Sequence, residues 1–174
     1  RRLAIDELLD LQLMLSRARM VAREGQRGTR FTVHKTLTSA LRQQLPWELT
    51  ADQKQATREI FDDMTQPERM HRLLMGDVGT GKTVVALFAM LLALENDYHA
   101  ALMAPTELLA EQHHRTLSRL VAPLGLVPEL LLGRLSATDK RSAHARVFDG
   151  ATSLVIGTHA LVQEQVAFRR LGLV

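Results

Sequence analysis

From residue 72 onward, short, mostly apolar runs of four residues take turns with stretches of helical periodicity, and this alternation restricts the fold more than any other feature of the sequence. The runs are Arg72–Met75, Ala100–Met103, Glu129–Leu132, Ser153–Ile156 and Leu171–Val174, and the helical segments cover 82–94, 107–121 and 137–148. Short runs separated by amphipathic helices are the pattern of βαβ units, whose strands pair in parallel beneath helices on both faces. An α/β domain with a mostly parallel sheet is therefore expected.

Ahead of this body the chain reads as helical. Leu8, Leu11, Leu15, Ala18 and Ala22 recur at three- and four-residue spacing between Ile5 and Arg23, predicting an amphipathic helix that ends at Gly25-Gln26-Arg27-Gly28. Leu37, Leu41 and Leu45 predict a second, short helix over about 35–45, stopped by Pro46, whose ring disfavours a helical residue before it. A third helix starts at Thr50. There Thr50-Ala51-Asp52-Gln53 has the form of a capping box, with Ala56, Ile60 and Met64 continuing the buried face. The predicted division is a helical linker over 1–46 and an α/β domain over 47–174.

Composition excludes several classes. Apolar residues make up 46% and charged residues 24%, which is globular rather than disordered usage. The longest apolar run, Val84–Leu94, has eleven residues, short of the roughly 20 a membrane-spanning helix needs, so no membrane partner is expected. The absence of cysteine removes disulfide frameworks, Cys-type zinc sites and thiol nucleophiles, and a cytoplasmic setting is the default. Residues 1–50 carry nine Lys/Arg against five Asp/Glu, an imbalance that permits a nucleic-acid partner without demanding one. The chain starts without methionine and stops in an apolar stretch, so it is expected to be an excerpt of a longer protein.

The octapeptide Gly76-Asp77-Val78-Gly79-Thr80-Gly81-Lys82-Thr83 is a full match to G-x-x-x-x-G-K-[ST], with the expected strand Leu73-Leu74-Met75 before it and an apolar helix after it. Glycines let such a loop fold tightly, so that successive N–H groups point at a phosphate and the helix start adds its positive dipole end. Lys82 is then expected to reach the β- and γ-phosphates of ATP, and the Thr83 hydroxyl to ligate Mg²⁺. In a parallel sheet every strand-to-helix loop emerges at one edge. Ala104-Pro105-Thr106-Glu107 and Gly157-Thr158-His159 should therefore line the rim beside the octapeptide, where they either bind further phosphates or simply cap helices.

The strings Leu102–His113, Gly76–Thr83, Val155–Val166 and Leu45–Gln53, taken together, resemble the first motor domain of the RecG family of bacterial superfamily 2 ATP-dependent DNA helicases. The resemblance covers about 45–174 and implies a RecA-like P-loop domain. It implies that Gly76–Thr83 is motif I, binding ATP with Mg²⁺, and that Lys82 and Thr83 act in catalysis. Gln53 stands where the superfamily places a glutamine that reads the adenine edge, a role compatible with closing the capping box. Pro105-Thr106-Glu107 begins motif Ia, and Gly157-Thr158-His159 matches the later DNA-contacting motif.

By the same resemblance the parent protein hydrolyses ATP, translocates on double-stranded DNA, and remodels stalled forks and four-way junctions in recombination and repair. It is expected in the bacterial cytoplasm at the nucleoid, with single-stranded-DNA-binding protein as a further partner. The strand at Leu173-Val174 is expected to lead into the Asp-Glu pair of motif II, so the excerpt alone should bind nucleotide without turnover. Two alternatives stay open: the translocase domain of the transcription-repair coupling factor, and a nucleotide-dependent binding module with no motor.

Other conspicuous residues have plainer readings. His113-His114 lacks companion ligands for a metal, and the methionines read as core filler. Trp47 either packs at the domain boundary or stacks on a base or on adenine. Arg17, Arg19 and Arg23 read as a solvated helix face.

Overall fold

The computed structural model describes residues 2–24, 28–162 and 166–174. Its helices are α1 (Arg2–Glu24), α2 (Leu37–Gln44), α3 (Ala51–Met64), α4 (Lys82–Leu94), α5 (Glu107–Val121) and α6 (Ala137–Phe148). Its strands are β1 (His99–Met103), β2 (Glu129–Leu131), β3 (Leu154–Gly157) and β4 (Leu171–Leu173), and two 3₁₀ turns cover Ala122–Leu124 and His159–Val162. The strands form one sheet in the order β2-β3-β1-β4 with every pairing parallel.

Alternation along the strands divides the interior. Ala100, Leu154 and Ile156 face the larger core with α4 and with Ala110, Leu117 and Val121 of α5. Ala101, Leu131 and Val155 face the opposite side, against Ala143 and Val147 of α6. Helices thus cover both faces, as strands that are apolar on both sides require. The caps follow the sequence: Thr50, Thr106 and Ser136 each accept a backbone N–H at the starts of α3, α5 and α6.

Two expectations are corrected. Residues 72–75 form no strand, although Leu74 is half-buried while Leu73 and Met75 are 81% and 80% exposed. This is the in-and-out alternation of a strand, but no described strand pairs with its backbone, and a parallel ladder needs a partner. On α1, Leu8, Leu11 and Leu15 are exposed rather than buried, since no other described element covers that face. The side chains of Arg19, Ala22 and Arg23, and residues 25–27 of the expected helix stop, lie outside the described part. Gly157-Thr158-His159 leads into a four-residue 3₁₀ turn.

Residues 28–46 share the core of the α/β body. Phe31 is 5% exposed and Leu41 fully buried, in the cluster that contains α4. Polar ties reinforce the seam at the carboxyl end of α4: Thr32 N–H donates to Asn96 (2.8 Å), while Glu95 accepts from the N–H (2.8 Å) and hydroxyl (2.9 Å) of Thr38.

Candidate functional site

The chain reverses direction between α4 and β1. A turn at Glu95–Tyr98, closed by Tyr98 N–H to the Ala93 carbonyl (3.1 Å), sends β1 back beneath α4. Thirteen helical and five extended residues span about 20 and 16 Å. The amino end of α4, with its octapeptide, therefore sits at the carboxyl edge of the sheet, where the loops after β1, β2 and β3 also emerge.

The octapeptide has the backbone of a phosphate cradle. Gly79 and Gly81 have φ of +82° and +81°, a region costly for residues with a Cβ. At Gly81 a Cβ would also lie 2.5 Å from the Gln53 amide nitrogen. Lys82 Nζ donates to the carbonyls of Gly76 (2.6 Å) and Asp77 (2.7 Å), holding its charge against the loop. The Thr80 hydroxyl donates to the Asp77 carbonyl (2.8 Å) and closes the turn through Asp77-Val78-Gly79. Thr83, the second residue of α4, lies half-buried beside Lys82, and Val78 is fully exposed.

Gln53 ties this loop to α3. Its side-chain oxygen accepts from Thr50 N–H (2.9 Å), completing the capping box, and its nitrogen donates to the Thr80 carbonyl (2.8 Å). One lone pair and one N–H of the amide remain without a partner among the described residues. Gln53, Thr50, Ala56, Leu74, Gly76, Lys82 and their neighbours line a cleft of about 350 Å³. Arg72 braces the approach, donating to Glu59 (2.6 Å) and Asp63 (2.7 Å) of α3. Hydrogen bonds from Gln55 and then Arg72 hold the Glu59 carboxyl below its ordinary range, and those to Asp63 and Glu59 raise the Arg72 pKa. A loop of left-handed glycines and a lysine at a helix start suits a nucleotide polyphosphate and its divalent metal.

The other rim loops differ in what they expose. Pro105 and Thr106 are exposed, and the Thr106 hydroxyl caps α5 by accepting from Leu109 N–H (3.3 Å). Glu107 turns sideways to the loop after β2 and accepts from Arg134 N–H (3.1 Å). Gly157 is buried in β3, where a Cβ would fall 2.4 Å from the Leu131 carbonyl oxygen. Thr158 is 2% exposed and its hydroxyl has no partner among the described residues, whereas His159 is exposed. Within the loops after β1 and β3, the exposed polar side chains are thus Thr106 and His159.

The sequence reading missed the loop Gly133-Arg134-Leu135-Ser136, which joins the rim after β2. Its signal was present: Ser136-Ala137-Thr138-Asp139 is a capping motif directly behind an apolar run, and Ser136 accepts from Asp139 N–H (3.1 Å). Elsewhere, His114 Nε2 lies 3.1 Å from the Pro128 carbonyl, and no cluster able to hold a metal occurs among the described residues. Trp47 is half exposed and lines a cavity of about 620 Å³ with Arg42, Pro46 and Lys54. No described helix is long and apolar enough to cross a membrane.

A family model described as DEAD/DEAH box helicase matches residues 50–174. The ATP-dependent DNA helicase RecG of Synechocystis sp. is 46% identical over 174 residues, all of this chain and 21% of that protein. That of Streptococcus pneumoniae is 42% identical over 174 residues, 26% of its length. A solved structure, RecG bound to a three-way DNA junction, superposes with a TM-score of 0.89 at 38% identity, over 97% of this chain and 23% of that one. The chain spans about a fifth to a quarter of the length of these relatives.

Proposed function

The chain belongs to the DEAD/DEAH box helicase family, and we propose that it is the nucleotide-binding first motor domain of a RecG-like DNA helicase. The parent would translocate on double-stranded DNA and remodel forks and four-way junctions in recombination and repair. One observation carries this reading: the phosphate cradle and the loops after β1, β2 and β3 share one edge of a parallel sheet. Such an edge brings a nucleotide and a nucleic-acid backbone within reach of one rigid layer.

In this reading Gly76–Thr83 surrounds the β- and γ-phosphates with backbone N–H groups, and Lys82 exchanges the carbonyls of Gly76 and Asp77 for phosphate oxygens. Thr83 would hold Mg²⁺, and Gln53 would read adenine with its remaining N–H and lone pair while still anchoring Thr80. Bound ATP would supply the γ-phosphoryl group, whose transfer to water drives the motor, and the metal would offset charge on the phosphates. Pro105, Thr106, Glu107, Gly157, Thr158 and His159 would form the wall that grips one strand's phosphates, with Thr106 and His159 in contact, Glu107 held aside on Arg134, and Gly157 and Thr158 beneath them. Such contacts position without reading sequence, as movement along any DNA demands. The division into a lead over 1–46 and a domain over 47–174, a nucleoid location and single-stranded-DNA-binding protein as partner belong to the same proposal.

A strand-displacement assay on a synthetic four-way junction with the full-length parent tests it. ATP-dependent unwinding that Lys82→Ala abolishes is the expected result. Translocation without strand displacement would indicate a coupling-factor-like translocase, and DNA binding without either a non-motor module.

A further inference from the structure

Two carboxylates stand on the rim assigned above to DNA, in the first turns of α5, where an acidic side chain competes with a phosphate for the free N–H groups. Neither is turned toward those groups. Glu107 accepts from Arg134 N–H (3.1 Å) and pairs with the Arg134 guanidinium (3.5 Å), and Glu111 takes a second guanidinium nitrogen. Arg134 belongs to the loop after β2, the middle of three rim loops in chain order. That loop is fixed independently: Lys140 donates to the Gly133 carbonyl (2.5 Å), and Ser136 caps α6. Gly133 brings it close to α5, since a Cβ there would lie 3.4 Å from a Glu107 carboxylate oxygen.

We propose that Arg134 is a positioning residue for DNA, a shield that draws Glu107 and Glu111 away from the amino end of α5 and offsets half of their charge at the phosphate-binding rim. The inference rests on the reading of this rim as the DNA contact. The Arg134 side chain is 63% exposed, while those of Glu107 and Glu111 are 35% and 21% exposed, so the cation lies over the two carboxylates on the solvent side. A DNA backbone approaching the rim meets the guanidinium before it meets the acids. Without it, two like charges would face the phosphates across partly buried ground, where screening is weaker than in open solvent. The other neighbour of Glu111, Arg115, is 3.9 Å away and 76% exposed on the same helix, so it cannot shield Glu107.

The test uses the full-length parent protein, with a duplex and a four-way junction as probes and affinity followed by anisotropy across a salt series. Arg134→Ala should weaken DNA binding about tenfold at low salt, with the defect narrowing as salt rises. Arg134→Lys, which keeps the charge but not the planar fork, should stay within about threefold of wild type. Adding Glu107→Gln and Glu111→Gln to Arg134→Ala should restore binding, and the two glutamines alone should tighten it. A purely structural tie between loops predicts the reverse, because the glutamines give up the ion pairs. Failure of restoration together with no gain from the glutamines overturns the shield, as does an Arg134→Ala protein that binds like wild type. If Thr106→Ala and His159→Ala also leave binding unchanged, the rim reading falls with it; if they weaken binding, the shield alone is wrong.

Discussion

Gln53 allows a local cap to be separated from a functional brace. Replacing it by Ala removes the bond to Thr50 N–H (2.9 Å) and the bond to the Thr80 carbonyl (2.8 Å). Both lie near solvent and the freed groups rehydrate, so each is worth about 0.5–1 kcal/mol, or about 1–2 kcal/mol together. For a chain of this length that lowers Tm by roughly 2–8 °C. Thr50→Ala removes the other half of the box, the bond from Gln53 N–H to the Thr50 hydroxyl (3.2 Å), at a similar cost of about 1 kcal/mol. It leaves the bond to Thr80 in place. The two variants should therefore melt alike and bind nucleotide differently. Gln53→Ala should lose roughly threefold to tenfold in affinity for Mg-ATP, corresponding to about 0.7–1.4 kcal/mol, while Thr50→Ala stays near wild type. Thermal melts monitored by circular dichroism and titration calorimetry make the comparison. Equal nucleotide affinity in the two variants would refute the claim that the glutamine braces the phosphate loop.

Other outcomes follow from the same structure. Lys82→Ala should reduce Mg-ATP affinity about 10- to 100-fold, the worth of one charged hydrogen bond to phosphate, and unchanged affinity by calorimetry would remove the cradle assignment. Gly81→Ala should impair nucleotide binding beyond what its φ of +81° costs, because the new methyl displaces the Gln53 amide; binding like wild type would contradict the 2.5 Å approach. Leu41→Ala should destabilise by about 2–5 kcal/mol, as a fully buried core leucine does, and a melting temperature within a degree of wild type would show that α2 stands apart from the body. Because the folded-state pKa of Glu59 is depressed, its stabilising contribution is complete above the unfolded value near 4.5 and disappears as pH falls through the folded value. Melts from pH 7 to 3 should accordingly show wild type and Glu59→Gln converging in the acid, and a constant gap would deny the linkage.

The local code of this chain was strong enough to read directly. Helix starts at Thr50, Lys82, Glu107 and Ala137 follow from capping hydroxyls and glycines next to apolar periodicity, interactions confined to a few residues. The glycines of Gly76–Thr83 specify a backbone that side chains oppose, and Gly79 and Gly81 adopt it with φ of +82° and +81°. Strand order could not be read, because β2, β3 and β1 differ little in composition and their pairing depends on helices packing from both faces. Leu73-Leu74-Met75 has the composition of a strand, yet strand identity lies in a ladder with a neighbour, which no residue carries by itself. The same limit hid Arg134. Its meeting with Glu107 and Glu111, more than twenty residues earlier, exists only because parallel strands deliver their loops to one edge. Periodicity and capping are short-range and written in the chain, whereas the pairing of charges across loops is a property of the closed sheet.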